Sequence, residues 1–503
     1  MRGMGAFNEA EAADLTTLVS RDPSSRDELG RVTISTPAEV RAAVERAKVA
    51  QAGWAALPVR ERCRRLAPFR DALRDHSDEL SELISRECGK TKLEALVQEV
   101  VNLLDLSGYF LDRGPEILAP RKIPLHMLKH RASYLHYVPR GVVAVISPWN
   151  YPLAIAGGEL MMALVAGNAV VHKPSEVTPL IADRTRALFL EAGLPGDLYQ
   201  VVHGRGPTGA ALIDAQPDYV HFTGSTATGR KIAAACGERL IPCAVELGGK
   251  APAIICADAD LDRAARALVW GAFANQGQIC ASVERVYVHT TVYDTLVAKI
   301  VEQTKRLRLG DPRQPEIDCG VMTWERQVEI VEARIKDAVD RGARVEVGGQ
   351  RRPGGLGFQP TVLTNVTHEM DVVKKEIFGP VMPIMRVGDE AEAIRLANDS
   401  EWGLLAYVFT VDRDKGRRIA EQIEAGTVMV NDVIVTHGMP ETPWAGVKAS
   451  GIGRAHSDEG LRDLCQERHV NYDRIALPRE LWWYPYSDKM YRRATKALKW
   501  LFR

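Results

Sequence analysis

The sequence predicts an α/β protein with two parallel-sheet domains, and three observations carry this prediction. From residue 141 to residue 289, short apolar runs alternate with helix-like segments, which is the pattern of parallel strands covered by helices on both faces. The alternation starts again near Glu246, which indicates a second domain of the same class. At 503 residues the chain is long enough for two or three domains.

The predicted elements follow one another in order. Residues 37–111 are rich in Ala, Arg and Glu and predict helices, whereas residues 122–138 alternate basic, aromatic and apolar side chains and predict a hairpin at a sheet edge that is available for pairing with a partner. The strands of the first domain are predicted at residues 141–146, 168–172, 199–203, 219–222 and 243–246, with a helix ending near Leu190. The second domain is predicted to have strands at 252–255 and 284–289, and helices at 260–275, 292–307 and 326–341.

Composition excludes several classes of protein. Lys plus Arg equals Asp plus Glu, at 65 each, so no global charge attracts nucleic acid. No apolar run approaches the roughly 18 residues of a transmembrane helix, and residues 1–15 lack the apolar region of a signal peptide. The eight cysteines contain no C-x-x-C pair, which predicts free thiols in a reducing cytoplasm rather than disulfides or a zinc site.

Three side chains near glycine or proline carry the candidate chemistry. Cys280 closes the run 273–280, Glu246 begins Glu-Leu-Gly-Gly-Lys, and Asn150 lies in Ser-Pro-Trp-Asn-Tyr-Pro. A thiol, a carboxylate and an amide can serve as nucleophile, general base and oxyanion donor. Each residue also has a structural interpretation. Cys280 could be a buried apolar side chain, Asn150 could form a turn, and Glu246 could be a strand-end carboxylate paired with Lys250 or Arg239.

Two strand ends suggest a phosphate-containing ligand. The segment Phe222-Thr223-Gly224-Ser225 follows a strand and opens a helix, where Gly224 allows the backbone turn and free N–H groups favour a phosphate. Its G-x-x-x-x-G spacing differs from the usual dinucleotide motif, so a simple strand–helix turn is an alternative. Lys173-Pro174-Ser175-Glu176 ends another strand. Glu176 can bind a ribose diol and would repel a 2′-phosphate, which favours NAD over NADP, although Lys173 and Glu176 also fit a solvated surface pair.

Seven segments together resemble the NAD(P)-dependent aldehyde dehydrogenase superfamily, in the family's order, from about Arg31 to about Arg474. They are Ser147-Pro-Trp-Asn-Tyr-Pro152, Lys173-Pro-Ser-Glu176, Phe222-Thr-Gly-Ser-Thr226, Glu246-Leu-Gly-Gly-Lys250, Gly277-Gln-Ile-Cys280, Glu376-Ile-Phe-Gly-Pro380 and Pro443-Trp-Ala-Gly-Val-Lys-Ala-Ser-Gly451.

The resemblance implies a domain organisation. The NAD-binding domain would comprise residues 1–121 and 140–246, the catalytic domain residues 247–440, and a β oligomerisation arm residues 122–139 and 457–478. A C-terminal extension of residues 479–503 lies outside the resemblance. Members of this superfamily are usually dimers or tetramers, so we expect a homodimer or homotetramer that acts on a small-molecule aldehyde, with no nucleic-acid partner.

The resemblance also implies the site residues, without a metal. The catalytic residues would be Cys280, Glu246 and Asn150. The cofactor, NAD with NADP as an alternative, would contact Ser147, Pro148, Trp149, Lys173, Ser175, Glu176, Gly206, Pro207, Phe222, Gly224, Ser225, Leu247, Glu376 and Phe378. The substrate tunnel would be lined by Tyr151, Ile155, Ile279, Ala281, Thr436 and Trp444, with Gly158 also facing it.

The implied chemistry is oxidation of an aldehyde to an acid through a thiohemiacetal and a thioester. Cys280 would attack the aldehyde carbon, Asn150 and the N–H of Cys280 would stabilise the alkoxide, and Glu246 would activate the hydrolytic water. Relatives that transfer the acyl group to coenzyme A typically lack this carboxylate, so Glu246 favours hydrolysis. A coenzyme-A-acylating enzyme and a non-catalytic NAD-binding structural protein are the alternatives.

Two departures bear on the substrate. The chain has Pro443-Trp444-Ala445-Gly446 where the family usually has Pro-Phe-Gly-Gly, so Trp444 is expected to keep the packing role and the backbone at Ala445 must tolerate a Cβ. The loop of residues 431–439 has no Arg or Lys. An uncharged tunnel favours medium- to long-chain aliphatic or aromatic aldehydes over dicarboxylate semialdehydes, which need a cation.

The C-terminal extension combines an aromatic segment, residues 481–486, with a helix that is apolar on one face and basic on the other. Its apolar face has Met490, Tyr491, Ala494, Leu498, Leu501 and Phe502, and its basic face has Arg492, Arg493, Lys496, Lys499 and Arg503. Docking on a neighbouring subunit is favoured over contact with an anionic membrane surface, and covering the neighbour's tunnel is a third alternative.

Overall fold

The computed structural model describes residues 16–480 and 482–502. The expectation about a signal peptide in residues 1–15 lies outside the described residues, as do Leu481 and Arg503 of the extension. In the described part of the chain, no helix combines the length and the apolar character needed to cross a membrane.

The chain begins with an antiparallel strand pair and a group of helices. The strands are β1 (Thr17–Arg21) and β2 (Glu28–Thr33), and the helices are α1 (Pro37–Ala55), α2 (Val59–Asp75), α3 (Ser77–Cys88), the short α4 (Lys92–Glu94), a π-helical segment (Ala95–Val101) and α5 (Asn102–Ile117). Thr36 and Glu39 form a capping box that starts α1, with Pro37 at its first position. This region confirms the helices expected over residues 37–111.

The predicted hairpin is present as β3 (Arg121–Ile123) and β4 (Arg131–Pro139), paired antiparallel. A late strand, which is numbered below in chain order, lies on the other side of β4. These segments belong to the smaller of two compact units, Ala119–Val138 together with the chain from Glu467 onward. The larger unit comprises the chain up to Leu118 together with Pro139–Gln466.

The first sheet has five parallel strands. They are β5 (Val142–Ile146), β6 (Ala169–Lys173), β7 (Tyr199–Val201), β8 (Tyr219–Thr223) and β9 (Cys243–Glu246), joined by α6 (Ala154–Ala166), α7 (Leu180–Glu191), a 3-10 turn (Gly196–Leu198), α8 (Gly206–Asp214) and α9 (Thr226–Glu238). Their spatial order is β9-β8-β5-β6-β7. The order reverses between β5 and β8, and parallel α/β sheets bind ligands at such a point.

The second sheet begins immediately after the first. Its elements are β10 (Ala251–Ile255), α10 (Leu261–Phe273), a 3-10 turn (Ala274–Gly277), β11 (Val283–His289), α11 (Tyr293–Arg306), α12 (Glu325–Asp340), β12 (Arg344–Val347), β13 (Thr361–Thr364), α13 (Asp371–Lys374), β14 (Val381–Val387), α14 (Glu390–Asn398), β15 (Trp402–Gly403), β16 (Leu405–Phe409), α15 (Arg413–Ala420) and β17 (Thr427–Val430). Seven of these strands form the sheet, in the order β12-β13-β14-β11-β10-β16-β17, with only β12 antiparallel, and β15 lies outside it.

The remaining elements return to the first sheet and then to the arm. A 3-10 turn (Val435–Gly438) precedes β18 (Val447–Lys448), β19 (Gly451–Ile452), α16 (Ser457–Asp463), β20 (Cys465–Asp473) and α17 (Asp488–Leu501). β19 pairs antiparallel with β9, with Gly451 opposite Glu246. β20 is the late strand beside β4. α16 lies in the larger unit, and the expected start of the arm at residue 457 stays a prediction.

The predicted α/β fold with parallel sheets is confirmed. The expected division at residues 246 and 247 falls between β9 and β10, which belong to different sheets, and the assignment of two domains stays a prediction. The helix expected over residues 260–275 ends at Phe273, because Asn275 and Gln276 have positive φ angles of 48° and 55°. These residues turn the chain toward Cys280.

Candidate active site

Cys280 and Glu246 line one cavity of about 440 Å³ in the larger unit. The walls come from the π-helical segment, α5, α6, the ends of β8 and β9, and loops around residues 279, 435 and 456. Four of the six expected tunnel residues line it: Tyr151, Ile155, Ile279 and Trp444. The sequence-distant segments therefore converge on one space beside the thiol.

Cys280 is held by an unusual piece of backbone. Asn275, Gln276 and Gly277 all have positive φ, and a Cβ on Gly277 would lie 2.3 Å from the carbonyl oxygen of Gly379. Only glycine fits at residue 277 for both reasons. Burial raises the pKa of the Cys280 thiol to about 12, and the charges of Glu376 and Glu246 add to this effect. The resting thiol is thus protonated near neutral pH and needs a base to become a nucleophile.

Asn150 is buried and contacts the loop that carries Cys280. Its Nδ2 donates a hydrogen bond to the backbone carbonyl oxygen of Gln278 at 2.9 Å. The backbone carbonyl oxygen of Asn150 accepts hydrogen bonds from Lys90 Nζ at 2.7 Å and from Asn275 Nδ2 at 3.1 Å. These tertiary contacts place the amide two residues from the thiol. A role limited to a local turn does not require them.

Glu246 ends β9 and is only 3% exposed. Neither carboxylate oxygen has a hydrogen-bond partner among the described residues. The ion pairs considered for it do not form, because Lys250 pairs with Glu284 at 2.6 Å and Arg239 pairs with Asp214 at 2.6 Å. Burial, followed by the charge of Glu159, raises the pKa of Glu246 well above its usual value. An unpaired buried carboxyl beside a thiol suits a general base.

Several of the expected cofactor residues lie where four parallel strands end. Ser147, Pro148 and Trp149 follow β5, Ser175 and Glu176 follow β6, Gly224 and Ser225 follow β8, and Leu247 follows β9. Ile146 and Phe222 are paired at the reversal between β5 and β8. Lys173 is 5% exposed, and its Nζ donates to the carbonyl oxygen of Pro174 at 2.7 Å and lies 3.8 Å from Glu176. Lys173 is therefore buried rather than solvated, although the Glu176 side chain near it is partly exposed.

The helix starts at this edge fit a phosphate-containing cofactor. Ser225 caps α9 by accepting from the N–H of Thr228, and α8 begins at Gly206 and Pro207 with no side-chain cap. Free N–H groups at helix starts favour phosphate oxygens. Gly224 was expected to allow the backbone turn, but its φ is not left-handed. A Cβ at this position would lie 2.6 Å from the Phe222 ring, and this close approach accounts for the glycine.

Glu376 and Phe378 lie across from this edge. Glu376 accepts a hydrogen bond from the N–H of Gly249 at 3.1 Å, and the Phe378 ring packs edge-on against Trp149 at 5.3 Å. The N–H groups of Ile377 and Phe378 donate to Glu284, the partner of Lys250. This buried pair therefore holds the loop of residues 376–378 against the Glu-Leu-Gly-Gly-Lys segment.

Two expected tunnel residues do not line the cavity. Ala281 is fully buried in the core of the second sheet, although it follows Cys280 directly in the chain. Its carbonyl oxygen accepts a hydrogen bond from the Tyr407 hydroxyl. Thr436 lies between Val435 and His437, which do face the cavity, while the Thr436 side chain does not line it. Gly158 approaches the site: a Cβ there would lie 3.9 Å from Nε2 of His456.

Much of the lining was not predicted from the sequence. Gln98, Val101, Asn102 and Asp105 face the cavity, and their spacing of three or four residues is a helical-face signal that the sequence contained. The buried residues Glu159, His221 and His456 and the partly buried His437 also line the cavity, and they were not predicted because they lie on separate elements and have no common motif. Among the described residues, no Lys or Arg lines this cavity.

The chain resembles known proteins over nearly its whole length. Residues 10–470 match the family described as "Aldehyde dehydrogenase family". A Methylomonas protein named 4,4'-diapolycopene aldehyde oxidase is 41% identical over 97% of this chain and 92% of its own. A Mycolicibacterium smegmatis protein, "Putative succinate-semialdehyde dehydrogenase [NADP(+)]", is 40% identical over 89% of this chain and 87% of its own.

Solved structures give the same result. An E. coli NADP-dependent enzyme matches with a TM-score of 0.88 and 34% identity, covering 91% of this chain and 95% of its own. An aldehyde dehydrogenase from Bacillus cereus in complex with NAD⁺ matches with a TM-score of 0.87 and 34% identity, covering 91% and 93%.

Proposed function

The chain belongs to the aldehyde dehydrogenase family and is an oxidoreductase; from this premise we propose that it oxidises an aldehyde to a carboxylic acid with NAD, through a thioester on Cys280. The observation that carries the proposal is that Cys280 and Glu246 line the same cavity, and that the buried carboxylate of Glu246 has no hydrogen-bond partner among the described residues. These are the two groups that formation and hydrolysis of a thioester require.

The first half of the reaction builds the covalent intermediate. Glu246 takes the proton of the Cys280 thiol, directly or through water, and the thiolate attacks the aldehyde carbon. The Nδ2 group of Asn150 and the N–H of Cys280 stabilise the resulting alkoxide, and an oxyanion donor of this kind is worth about 2.7–4 kcal/mol. A nicotinamide cofactor held at the strand ends would supply the hydride acceptor for oxidation of the thiohemiacetal to the thioester.

The residues at the strand ends would hold the cofactor. The starts of α8 and α9 would bind its phosphates, Lys173 and Glu176 would bind the adenosine ribose, and Glu376 and Phe378 would position the nicotinamide ribose and ring. Glu176 supports NAD over NADP because a carboxylate repels a 2′-phosphate. Two similar proteins have NADP in their names, so a preference of this chain for NADP over NAD is the alternative to be tested.

The second half of the reaction releases the acid. Glu246 deprotonates a water molecule that attacks the thioester carbon, and the C–S bond breaks with its electron pair on the Cys280 sulfur. Because Glu246 is present and faces the thiol, hydrolysis is favoured over transfer to coenzyme A. The same two residues argue against a purely structural, non-catalytic role.

The substrate we propose is a medium- or long-chain aliphatic or aromatic aldehyde. Tyr151, Ile155, Trp270, Ile279 and Trp444 give the cavity a largely apolar wall, and no Lys or Arg in that lining is available to bind a second carboxylate. The relative named 4,4'-diapolycopene aldehyde oxidase supports an apolar substrate. The relatives named succinate-semialdehyde dehydrogenase make succinate semialdehyde the second candidate.

Assembly and location belong to the same proposal. We propose a homodimer or homotetramer in the cytoplasm, in which the arm formed by β3, β4 and β20 pairs with a neighbouring subunit. β20 is a sheet edge and is exposed along almost all of its length, which leaves its outer edge open for such pairing.

The test is the formation of NADH or NADPH by purified protein without coenzyme A. The aldehydes would range from acetaldehyde to dodecanal, with benzaldehyde and succinate semialdehyde. We expect turnover that rises with chain length, prefers NAD, and disappears in Cys280→Ala. A preference for succinate semialdehyde would overturn the substrate, and full activity in Cys280→Ala would overturn the mechanism.

A further inference from the structure

Two cysteine thiols outside the cavity are in contact with each other. Cys236 lies in the last turn of α9, and Cys243 is the first residue of β9. The Cys236 thiol donates a hydrogen bond to the sulfur of Cys243. The reaction proposed above uses neither thiol, so this contact has no role in it.

A tight turn between α9 and β9 brings the two cysteines together. The N–H of Ile241 donates a hydrogen bond to the backbone carbonyl oxygen of Cys236 at 2.9 Å. Leu240, just before it, has a positive φ of 55°, which reverses the chain toward the strand that Cys243 begins. Backbone geometry therefore holds the end of the helix, with its thiol, beside the start of the strand.

The thiol pair lies on the other face of the first sheet from the catalytic cavity. Side chains alternate along a strand, so Cys243 and Val245 point to one face of β9 while Ala244 and Glu246 point to the opposite face. Glu246 lines the cavity, whereas Cys243 faces α9 and its cysteine. The pair is therefore a separate place in the fold, and neither of its thiols lines the cavity.

Solvent reaches the pair from the Cys243 side. All eight cysteines belong to the described part of the chain, and of these Cys243 and Cys280 are partly exposed while the other six are buried. Leu240 in the adjoining turn is 90% exposed, whereas Cys236 is 0% exposed. A small oxidant from solution therefore meets Cys243 first, with a second thiol already in contact with it.

The contact also makes the two thiols unequal. The hydrogen bond from Cys236 lowers the pKa of Cys243 to about 7, although burial acts in the opposite direction. The same hydrogen bond, with burial, raises the pKa of Cys236. Burial raises the pKa of Cys280 to about 12. Because the thiolate is the form that peroxides oxidise, Cys243 is the more reactive of the two partly exposed thiols in the resting protein.

We propose that Cys236 and Cys243 are an oxidation site, at which hydrogen peroxide produces an intramolecular disulfide before it oxidises Cys280. The Cys243 thiolate attacks one peroxide oxygen, the O–O bond breaks, and the hydroxide that leaves takes up the proton that Cys243 released. The Cys236 sulfur then attacks the sulfur of the Cys243 sulfenic acid, and the S–O bond breaks. This oxygen leaves as water with the proton of Cys236. Two thiols are oxidised to one disulfide, and hydrogen peroxide is reduced to two water molecules.

A reversible disulfide of this kind fits a protein whose other thiols are free. Disulfides in a reducing compartment are usually transient and respond to oxidants. The bond would link the end of α9 to the start of β9, and a thiol reductant would reopen it by exchange. The inference goes beyond the proposed catalytic function and does not depend on it.

The test maps oxidised cysteines in the native full-length protein after treatment with an equimolar amount of hydrogen peroxide. N-ethylmaleimide blocks the remaining thiols before the protein is unfolded and digested with trypsin without reduction. Cleavage after Arg239 places the two cysteines in separate peptides, residues 232–239 and 240–250. We expect mass spectrometry to recover these peptides linked, and dithiothreitol to separate them. On a denaturing gel without reductant, the oxidised protein should migrate as a single chain.

Two variants assign the roles of the thiols. Cys243→Ser should remove the link and leave Cys236 unoxidised, whereas Cys236→Ser should leave Cys243 as a sulfenic acid that dimedone traps. In the wild type, peroxide should consume the Cys243 thiol at least about tenfold faster than the Cys280 thiol. Cys256→Ser is the matched control, since Cys256 is a buried thiol whose pKa is raised by burial to about 11. The linked peptides should form in this variant as in the wild type.

The possible outcomes are distinct. Absence of the linked peptides after peroxide treatment would overturn the disulfide, and so would a link found only in a covalent dimer. Oxidation of Cys280 ahead of Cys243 would overturn the preference between the two sites. Because these measurements read the thiols directly, they give the same answer whether or not the protein turns over an aldehyde, and failure of the proposed function is seen separately as absence of turnover.

Discussion

At the scale of single residues, the site depends on side chains whose burial changes their pKa and on backbone angles that residues rarely adopt. Cys280 has a pKa raised to about 12 by burial, and Glu246 is buried without a partner among the described residues. Asn275 and Gln276 hold positive φ angles, each costing on the order of 1–3 kcal/mol. Such strain persists because the surrounding loop contacts over-determine it, including the bond from Asn275 N–H to Glu94 at 2.8 Å.

The residue-scale prediction concerns Glu246→Gln. An amide side chain cannot accept the proton of water. This variant should therefore release at most one equivalent of NADH in a first phase, and its later turnover should be lower than that of the wild type by at least about a hundredfold. In the wild type, hydrolysis should increase as pH rises through the raised pKa of Glu246, because only the ionised carboxylate is a base. The second phase of the Glu246→Gln variant should lack this pH dependence.

The control is Glu238→Gln, an exposed carboxyl near the end of α9 beside Arg239. It removes the same charge without touching the cavity, and its progress curve should match wild type. A Glu246→Gln protein with repeated turnover and the normal pH profile would show that another group is the base.

At the scale of elements, α17 has an apolar face and a basic face, and its side chains are largely exposed in the single chain. Tyr491, Leu498, Leu501 and Phe502 lie on the apolar side, with 51–72% of their surfaces exposed. The aromatic residues Trp482, Trp483 and Tyr484 before it are also exposed. Apolar surface of this extent usually marks a contact site, and we favour a neighbouring subunit as the partner.

The element-scale prediction is that deletion of residues 479–503 weakens assembly. Sedimentation velocity over a range of concentrations should show dissociation of the truncated protein where the full chain stays assembled, since the apolar face no longer contributes about 25 cal/mol per Å² buried. Mixing both forms with anionic vesicles tests the alternative: sedimentation of only the full chain with lipid would favour a membrane surface instead.

At the scale of the whole molecule, buried carboxyl groups make stability depend on pH. Glu87 bonds Ser20 Oγ at 2.7 Å and the N–H groups of Leu180 and Ile181 at the start of α7, yet burial still raises its pKa to about 7. Glu159 and Glu376 are similarly raised to about 8. In each case the folded protein binds a proton more tightly than the unfolded chain does.

The whole-molecule prediction follows from this sign. The stabilising contribution of protonated Glu87 is full below the unfolded pKa near 4.5 and is lost as pH rises from there through about 7, so Tm should fall between about pH 4.5 and pH 7. For one group the loss is at most on the order of 3 kcal/mol. Glu87→Gln should have a flatter dependence of Tm on pH, measured by calorimetry. An unchanged slope in that variant would assign the pH dependence to other groups.

How much could be predicted from sequence varies with the kind of feature. Strands such as Val142–Ile146 and Ala169–Lys173 were predicted to within about a residue, because a fully buried parallel strand must be apolar throughout. The end of α10 was placed two residues too late, because the turn at Asn275 depends on tertiary contacts rather than on helix propensity. Ala281 was predicted to line the tunnel, but it is buried in the core of the second sheet, because adjacent residues can face opposite sides.

The α/β class and the family follow from the sequence, which also predicts catalytic roles for Cys280, Glu246 and Asn150, because these inferences rest on local patterns of polarity and on motifs that are contiguous in the chain. The folded arrangement was needed to show that Glu246 is free of Lys250 and Arg239, that Lys173 is buried, and that Glu159, His221 and His456 share a cavity with Glu246. Burial and ion pairing depend on which distant segments meet, and strand order and register determine those meetings.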